Sequence, residues 1–344
     1  MPLPQSAYVS VPAQDSKALW IDHFTLPTTD LARSAEFYNK VMGSRTDPDP
    51  EQKRRGRQFQ YVSCIRFGLF VQKDPLPPRE PLGEGFPRHA FFVRPEDVTA
   101  HLRRLDECGV EHTGAVRSAA FGESGTSIVW YGLEGHQHEY WAPDQMPEGA
   151  MADAGPLQIG RISHGVFIAR DLKRTARLFE RYCGLKPLTG GEIAADTLVL
   201  PLGRGGRLVF RQGATPSART AGAGVYRDVH TALAVPEAEF WAYHERMWDE
   251  VPEWGYDMGE QPYQGNAALL PARTALHGSP AGRSWLKRFG RGDDWIDWDC
   301  NLFHFVGAEY PAGQNGALYT VHFIDEYMED YLATHGRGPE RGVV

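Results

Sequence analysis

Four histidines are placed where chemistry could be done, and they come in two pairs with one spacing. His23 lies inside the apolar run "ALWIDHFTLP", and His164 lies inside "GRISHGVFIARD", 141 residues later. His89, in "PRHAFFVRPED", and His230, in "DVHTALAVPEA", are again 141 residues apart. A neutral imidazole in a strand can ligate a divalent metal or carry a proton. The ordinary alternative is a core histidine satisfied by one hydrogen bond. One histidine alone favours that alternative, whereas a constant spacing that carries two of them together does not.

The same spacing extends to the elements that must hold these residues. "DLARSAEFYNKVMG" from Asp30 and "DLKRTARLFERYCG" from Asp171 match at five of fourteen positions, ending on Gly43 and Gly184. Pro95 and Glu96 fall on Pro236 and Glu237. Repetition of this kind is the mark of a tandem duplication. Within the first copy the reading is a strand over Leu19–Leu26 and a helix over Asp30–Met42, with Asp30 as N-cap and Gly43 as its stop. Strands near Phe59–Cys64 and Phe67–Gln72 follow. A second strand (His89–Val93), a helix (Pro95–Cys108) and strands ending in "SIVWYGLEGHQHEYWAP" complete the copy. Each copy thus holds strand, helix and about three strands, twice. The boundary is the Pro-, Gly- and Ala-rich "APDQMPEGAMADAGP", which gives domains over 1–148 and 157–344. The second copy carries an extra Pro-, Gly- and Trp-rich segment over about 251–294, read as an ordered insertion that covers a site or a domain face.

Composition narrows the partners. The formal net charge of −8, with no basic stripe, argues against nucleic acid and against anionic membrane surfaces. No apolar run nears the roughly 18 residues that span a bilayer, and the first residues lack a signal-peptide pattern. Cys64, Cys108, Cys183 and Cys300 are scattered, as free thiols in a cytoplasmic protein would be.

The strand–helix units "HFTLPTTDLARSAEFYNKVMG" and "HGVFIARDLKRTARLFERYCGL" resemble the vicinal oxygen chelate superfamily, which includes glyoxalase I, bleomycin-resistance proteins and type I extradiol dioxygenases. The resemblance covers nearly the whole chain. It implies an α+β fold: a tandem duplication of paired βαβββ modules, four in all, each pair forming a cupped mixed sheet around a metal site. Ligands in that family come from first strands and from a last strand. Carried over, the first copy offers His23, His89 and, four residues after Gly135 in "LEGHQHEYW", Glu139. The second copy offers His164, His230 and, from "DWDCNLFHF", His304, so that histidine replaces the glutamate. Two histidines and a carboxylate suit non-haem Fe(II), with Mn(II) close behind, while three histidines also accept Zn(II). His138, next to Glu139, is expected on the opposite strand face. Gln72 and Gln212 are read as ordinary exposed glutamines.

The resemblance implies ring-cleaving, extradiol-type dioxygenation of a catecholic or related aromatic small molecule, with O2 as co-substrate. Candidates for the acid–base partner are Tyr131, eight residues before Glu139, and His277 in the insertion, with Tyr256 and Tyr263 beside it. Two other readings stay open: a glyoxalase-like isomerase or lyase, and a binding or resistance protein without turnover. The aromatic "GALYTVHFIDEYMEDYLATH" near the C-terminus leaves a homo-oligomer open as well.

Overall fold

The computed structural model describes residues 19–213 together with 231–235, 294–296 and 302–307. Within 19–213, positions 47, 49, 51–52, 54–55, 63–64, 72–75, 77, 84, 120, 153, 170 and 190–192 are outside the description, and for 294–296 and 302–307 only the backbone is described. The elements in chain order begin with β1 (Trp20–Thr28), α1 (Leu31–Met42), β2 (Arg45–Thr46), β3 (Arg57–Val62) and β4 (Ile65–Val71). There follow β5 (Arg88–Val93), a 3-10 turn over Pro95–Asp97, α2 (Val98–Glu107), β6 (Val116–Ser118), β7 (Gly125–Tyr131) and β8 (Gln137–Pro143). The next set is β9 (Ile159–Ala169), α3 (Leu172–Cys183), β10 (Thr197–Pro201) and β11 (Arg207–Gln212). Last come β12 (Thr231–Val235), β13 (Asp294–Ile296) and β14 (Leu302–Gly307).

Local chemistry explains the first unit. The Asp30 side chain accepts from the Arg33 amide, capping α1, and Gly43 takes the left-handed φ of 64° that ends it. Leu31, Ala35, Tyr38, Val41 and Met42 recur at helical spacing and are all buried. They cover one face of a 14-stranded mixed sheet. Phe24, Phe67, Phe91, Trp130, Tyr140, Phe167, Phe210 and Leu233 meet α1, α2 and α3 in the same core. Cys108 is a half-buried free thiol, and Cys183 is buried. Among the described residues, no helix is long and apolar enough to cross a membrane.

Four strands, each at the place where the sequence predicts a unit to begin, lie parallel to a later strand: β1 to β4, β5 to β8, β9 to β11 and β12 to β14. The sequence predicts that consecutive units pair, the first with the second and the third with the fourth. The structure joins them differently. Antiparallel ladders connect β1 to β12 and β5 to β9. The two halves of the sheet touch through one β1–β9 register pair, Ile21 with Ile162. All four leading strands are short apolar runs of similar pattern, so local sequence does not dictate which edges join. The insertion expected over 251–294 lies outside the described residues except for Asp294.

Candidate functional site

The face of the sheet away from the helices carries two clusters of polar side chains, one in each half. The first is built on β1. Ile21 and Phe24 both enter the helix-side core although they are three positions apart, an odd spacing for a strand. A β-bulge between Ile21 and His23 makes this possible, and it turns His23 to the opposite face. His23 Nδ1 lies 2.7 Å from Asp22 Oδ2, and an Arg66 guanidinium nitrogen lies 3.2 Å from the same Nδ1. The guanidinium stands over the Phe59 ring, 5.4 Å from its centroid. Burial pushes the Asp22 carboxyl up from its ordinary range, opposed by Arg66, Arg161 and the Trp20 indole.

Register extends this cluster across four strands. Arg66 pairs with His23, His23 with Ala232, and Ala232 with His304, whose partner on β13 is Asp294. The other half repeats the row. Arg207 pairs with His164, His164 with Ala90, and Ala90 with Glu139, whose partner on β7 is Val129.

The second row is closed upon itself. Arg88 Nε donates to Glu139 in an ion pair with both side chains buried. His164 Nε2 lies 3.1 Å from the same carboxylate oxygen, and Ser163 Oγ lies 2.9 Å from His164 Nδ1. Burial lowers the His164 pKa, so the ring is neutral; Ser163 then donates to Nδ1, and Nε2–H donates to Glu139. Burial alone would raise the Glu139 pKa, but Arg88 and His164 overcome it and hold the carboxyl well below the usual range. Beside them Arg207 donates to Glu123 at 2.6 Å, and the Trp141 indole donates to the same carboxylate at 3.2 Å. Phe121, Val166, Val199 and Val209 pack around the group.

The structure therefore regroups the expected ligands. His89 and Glu139, expected to share a metal with His23, are on opposite faces: β5 and β8 run parallel with His89 beside His138 and Ala90 beside Glu139. A one-residue offset reverses the face in a strand, which separates them. His89 stacks on Phe24 with ring centroids 4.0 Å apart and shares a 3.1 Å hydrogen bond with Thr231 Oγ1. Burial lowers its pKa to about 3, so it is a neutral core histidine. His138 lies on that same side, where its Nε2 is 2.9 Å from the Tyr38 hydroxyl, away from Glu139 as alternation requires. His136 reaches the Pro27 carbonyl at 3.0 Å. Tyr131 donates its hydroxyl to the Glu80 carbonyl and sits under Arg79, apart from both rows. Gln212 is exposed at the end of β11. His230, His277, Tyr256, Tyr263 and Gln72 lie outside the described residues.

Sequence reasoning missed Asp22, Arg66, Arg88, Glu123 and Arg207. One signal was available: Arg66 and Arg207 have the same 141-residue separation as His23 and His164.

The two rows differ in how they suit a divalent metal. The Glu139–His164 row already has two buried guanidinium groups against its carboxylates, and the Glu139-facing nitrogen of His164 is engaged. A cation there would have to displace Arg88, so these residues do not fit a metal. On the other face Asp22 holds Nδ1 of His23, the outer contact that orients an imidazole to ligate through Nε2. Among the described residues, no three His, Cys, Asp or Glu side chains form a group that could hold a metal. A complete set on this face calls on His304 and His230, whose side chains are outside the description.

The chain is similar to several known proteins. Solved structures with a similar fold include a candidate dioxygenase from Bacillus subtilis subsp. subtilis str. 168, 14% identical, with a TM-score of 0.49, covering 68% of this chain and 76% of that one. Glyoxalase I from Zea mays is 14% identical with a TM-score of 0.47, covering 71% and 83%. The fosfomycin resistance protein FosX from Listeria monocytogenes is 23% identical with a TM-score of 0.30, covering 35% and 88%. Residues 20–132 match the model of the Glyoxalase/Bleomycin resistance protein/Dioxygenase superfamily.

Proposed function

We propose that the chain is a divalent-metal enzyme whose metal is held on the β1–β12–β14 face by His23 and His304, with His230, two positions before Ala232, as the third ligand. The observation that carries this reading is the register row from Arg66 through His23 and Ala232 to His304. Its counterpart row is occupied by an internal ion pair. In this reading the four units arise by tandem duplication, the domains meet near 148–157, and one of the two equivalent faces has kept its metal.

In the tautomer this reading uses, His23 Nδ1–H donates to Asp22, the Arg66 nitrogen 3.2 Å away does not donate to Nδ1, and the Nε2 lone pair is left for the metal. Arg66 and Phe59 form one wall, and Ala232 and Ala234 leave room beside it. A divalent metal in this position supplies Lewis-acid chemistry for a small molecule that chelates through adjacent oxygens and, as Fe(II), redox chemistry with O2. Ring cleavage of a catecholic substrate by an Fe(II) enzyme is the reaction this reading takes first, with Mn(II) and Zn(II) as the other metals that imidazoles accept.

The experiment is metal analysis of the purified full chain, followed by anaerobic Fe(II) loading and oxygen uptake with catechols. His23→Ala and His304→Ala are expected to lose metal and uptake, while Glu139→Gln keeps the metal. Retained zinc or nickel without oxygen uptake would move the reading to a glyoxalase-like isomerase. A protein that takes up no metal overturns it.

A further inference from the structure

We infer that Arg66 recognises an anionic group on the substrate, so that the small molecule bound at this face is a chelator that also carries a carboxylate. The inference rests on the reading above for the place of the site and names the class of its substrate.

Arg66 is 6% exposed, yet its Nε has no hydrogen-bond partner. A buried guanidinium N–H left unpaired is costly unless something arrives to accept from it. One of its terminal nitrogens lies against His23 Nδ1, so the group stands directly beside the proposed ligand. Arg207, at the equivalent register position of the other face, shows what a satisfied arginine looks like there. It donates to Glu123 at 2.6 Å, a buried carboxylate supplied by the chain itself. At the first face the residue facing Arg66 is His23, and among the described residues none supplies an oxygen that accepts from the Arg66 Nε.

The surroundings favour a negative guest. Arg161 and Arg204 flank the Trp20 ring with their guanidinium carbons 5.0 and 4.5 Å from its centroid. Trp20 pairs with Ala234 on β12, so these cations border the same face. Among the described residues, Asp22 is the acidic group close to Arg66 and Arg161, and one of its oxygens is in contact with His23. Phe59 gives the guanidinium an aromatic floor that holds its plane, as recognition of a planar carboxylate requires.

The test is calorimetric titration of the full chain, both metal-free and Zn(II)-loaded, with 3,4-dihydroxybenzoate and with catechol as probes. Binding of the benzoate is expected to be tenfold tighter or more, and Arg66→Met brings the two probes to within about twofold. Arg66→Lys keeps the charge but loses the fork, and loses about fivefold or more of the preference. Arg117→Met, which removes an exposed arginine paired with Asp144, leaves the preference unchanged. Equal binding of the two probes, binding of neither, or a preference that survives Arg66→Met overturns the inference. If Arg66→Met does not fold by circular dichroism, Arg66→Lys decides, and an unchanged preference in that variant overturns it. Carboxylate preference without oxygen uptake sustains this inference and sinks the ring-cleaving reading. Oxygen uptake with no preference does the reverse.

Discussion

The β5–β8–β9 face and the β1–β12–β14 face have the same strand pairing and the same arginine–histidine start to their central row. They part at the next positions. On one face the chain supplies every charge and its complement, Arg88 with Glu139 and Arg207 with Glu123. On the other, Arg66 and His23 stand side by side, and among the described residues no carboxylate forms an ion pair with Arg66 as Glu139 and Glu123 do with their arginines. A site that has neutralised itself gains rigidity and gives up binding. A site with an unmet donor is poised for a ligand, at some expense to the stability of the free protein.

The sharpest way to break this contrast is at Arg88. Arg88→Met leaves Glu139 buried without its cation and should cost about 3–5 kcal/mol of stability, read as a shift in the urea midpoint. Adding Glu139→Gln should restore most of that loss, because the two residues are directly coupled. A single variant as stable as the parent would mean that this ion pair does not close the face. Next in size is Asp22→Asn, which removes the carboxylate that orients His23. It should weaken metal binding about 10- to 100-fold in a chelator competition, whereas Glu139→Gln leaves it unaltered. Equal effects of the two would erase the distinction between the faces.

Per pH unit, a smaller effect comes from the buried histidines of the core. The His89 pKa is lowered to about 3 by burial, and the His101 pKa to about 4. The unfolded chain binds these protons below about pH 6.5 while the folded chain stays neutral until pH 3 to 4. Stability is therefore full above about pH 6.5 and falls as pH drops through that window. Each histidine contributes at most about 1.4 kcal/mol per pH unit. Thermal midpoints measured from pH 7 to 4 should show this slope, and His89→Gln should flatten it; an unchanged slope would show that His89 already titrates in the folded state. The smallest effect is expected at the exposed Arg117–Asp144 pair, where Arg117→Met should cost about 0.2–1 kcal/mol in urea unfolding. A larger loss would mean that exposed ion pairs rival the buried ones here.

Much of this was legible in the sequence. Asp30 and Gly43 bracket α1 as their capping chemistry predicts, and His138 lies across the sheet from Glu139. The helix expected from Pro95 begins instead with a 3-10 turn, in which the Asp97 N–H donates to the Arg94 carbonyl and the Val98 N–H to the Pro95 carbonyl. The ligand grouping was not legible. Placing His89 with Glu139 depended on register between β5 and β8, and a shift of one residue exchanges every face. The partner of each leading strand was equally hidden, since edge pairing is decided by tertiary contact between strands far apart in the chain. The bulge before His23 adds one residue to a strand whose apolar pattern reads as continuous.

The cross-pairing of β1 with β12 and β5 with β9 has a consequence for how the two faces could come to differ. Cut between β8 and β9, either half would carry leading-strand edges whose mates belong to the other half. A half-length molecule could satisfy them only by meeting a second copy of itself, in a symmetric association that fails on dilution. Two identical subunits cannot hold arginine at a position in one and another residue at that position in the other. One polypeptide can, because a residue such as Arg88 beside Glu139 belongs to a single face and leaves the other untouched.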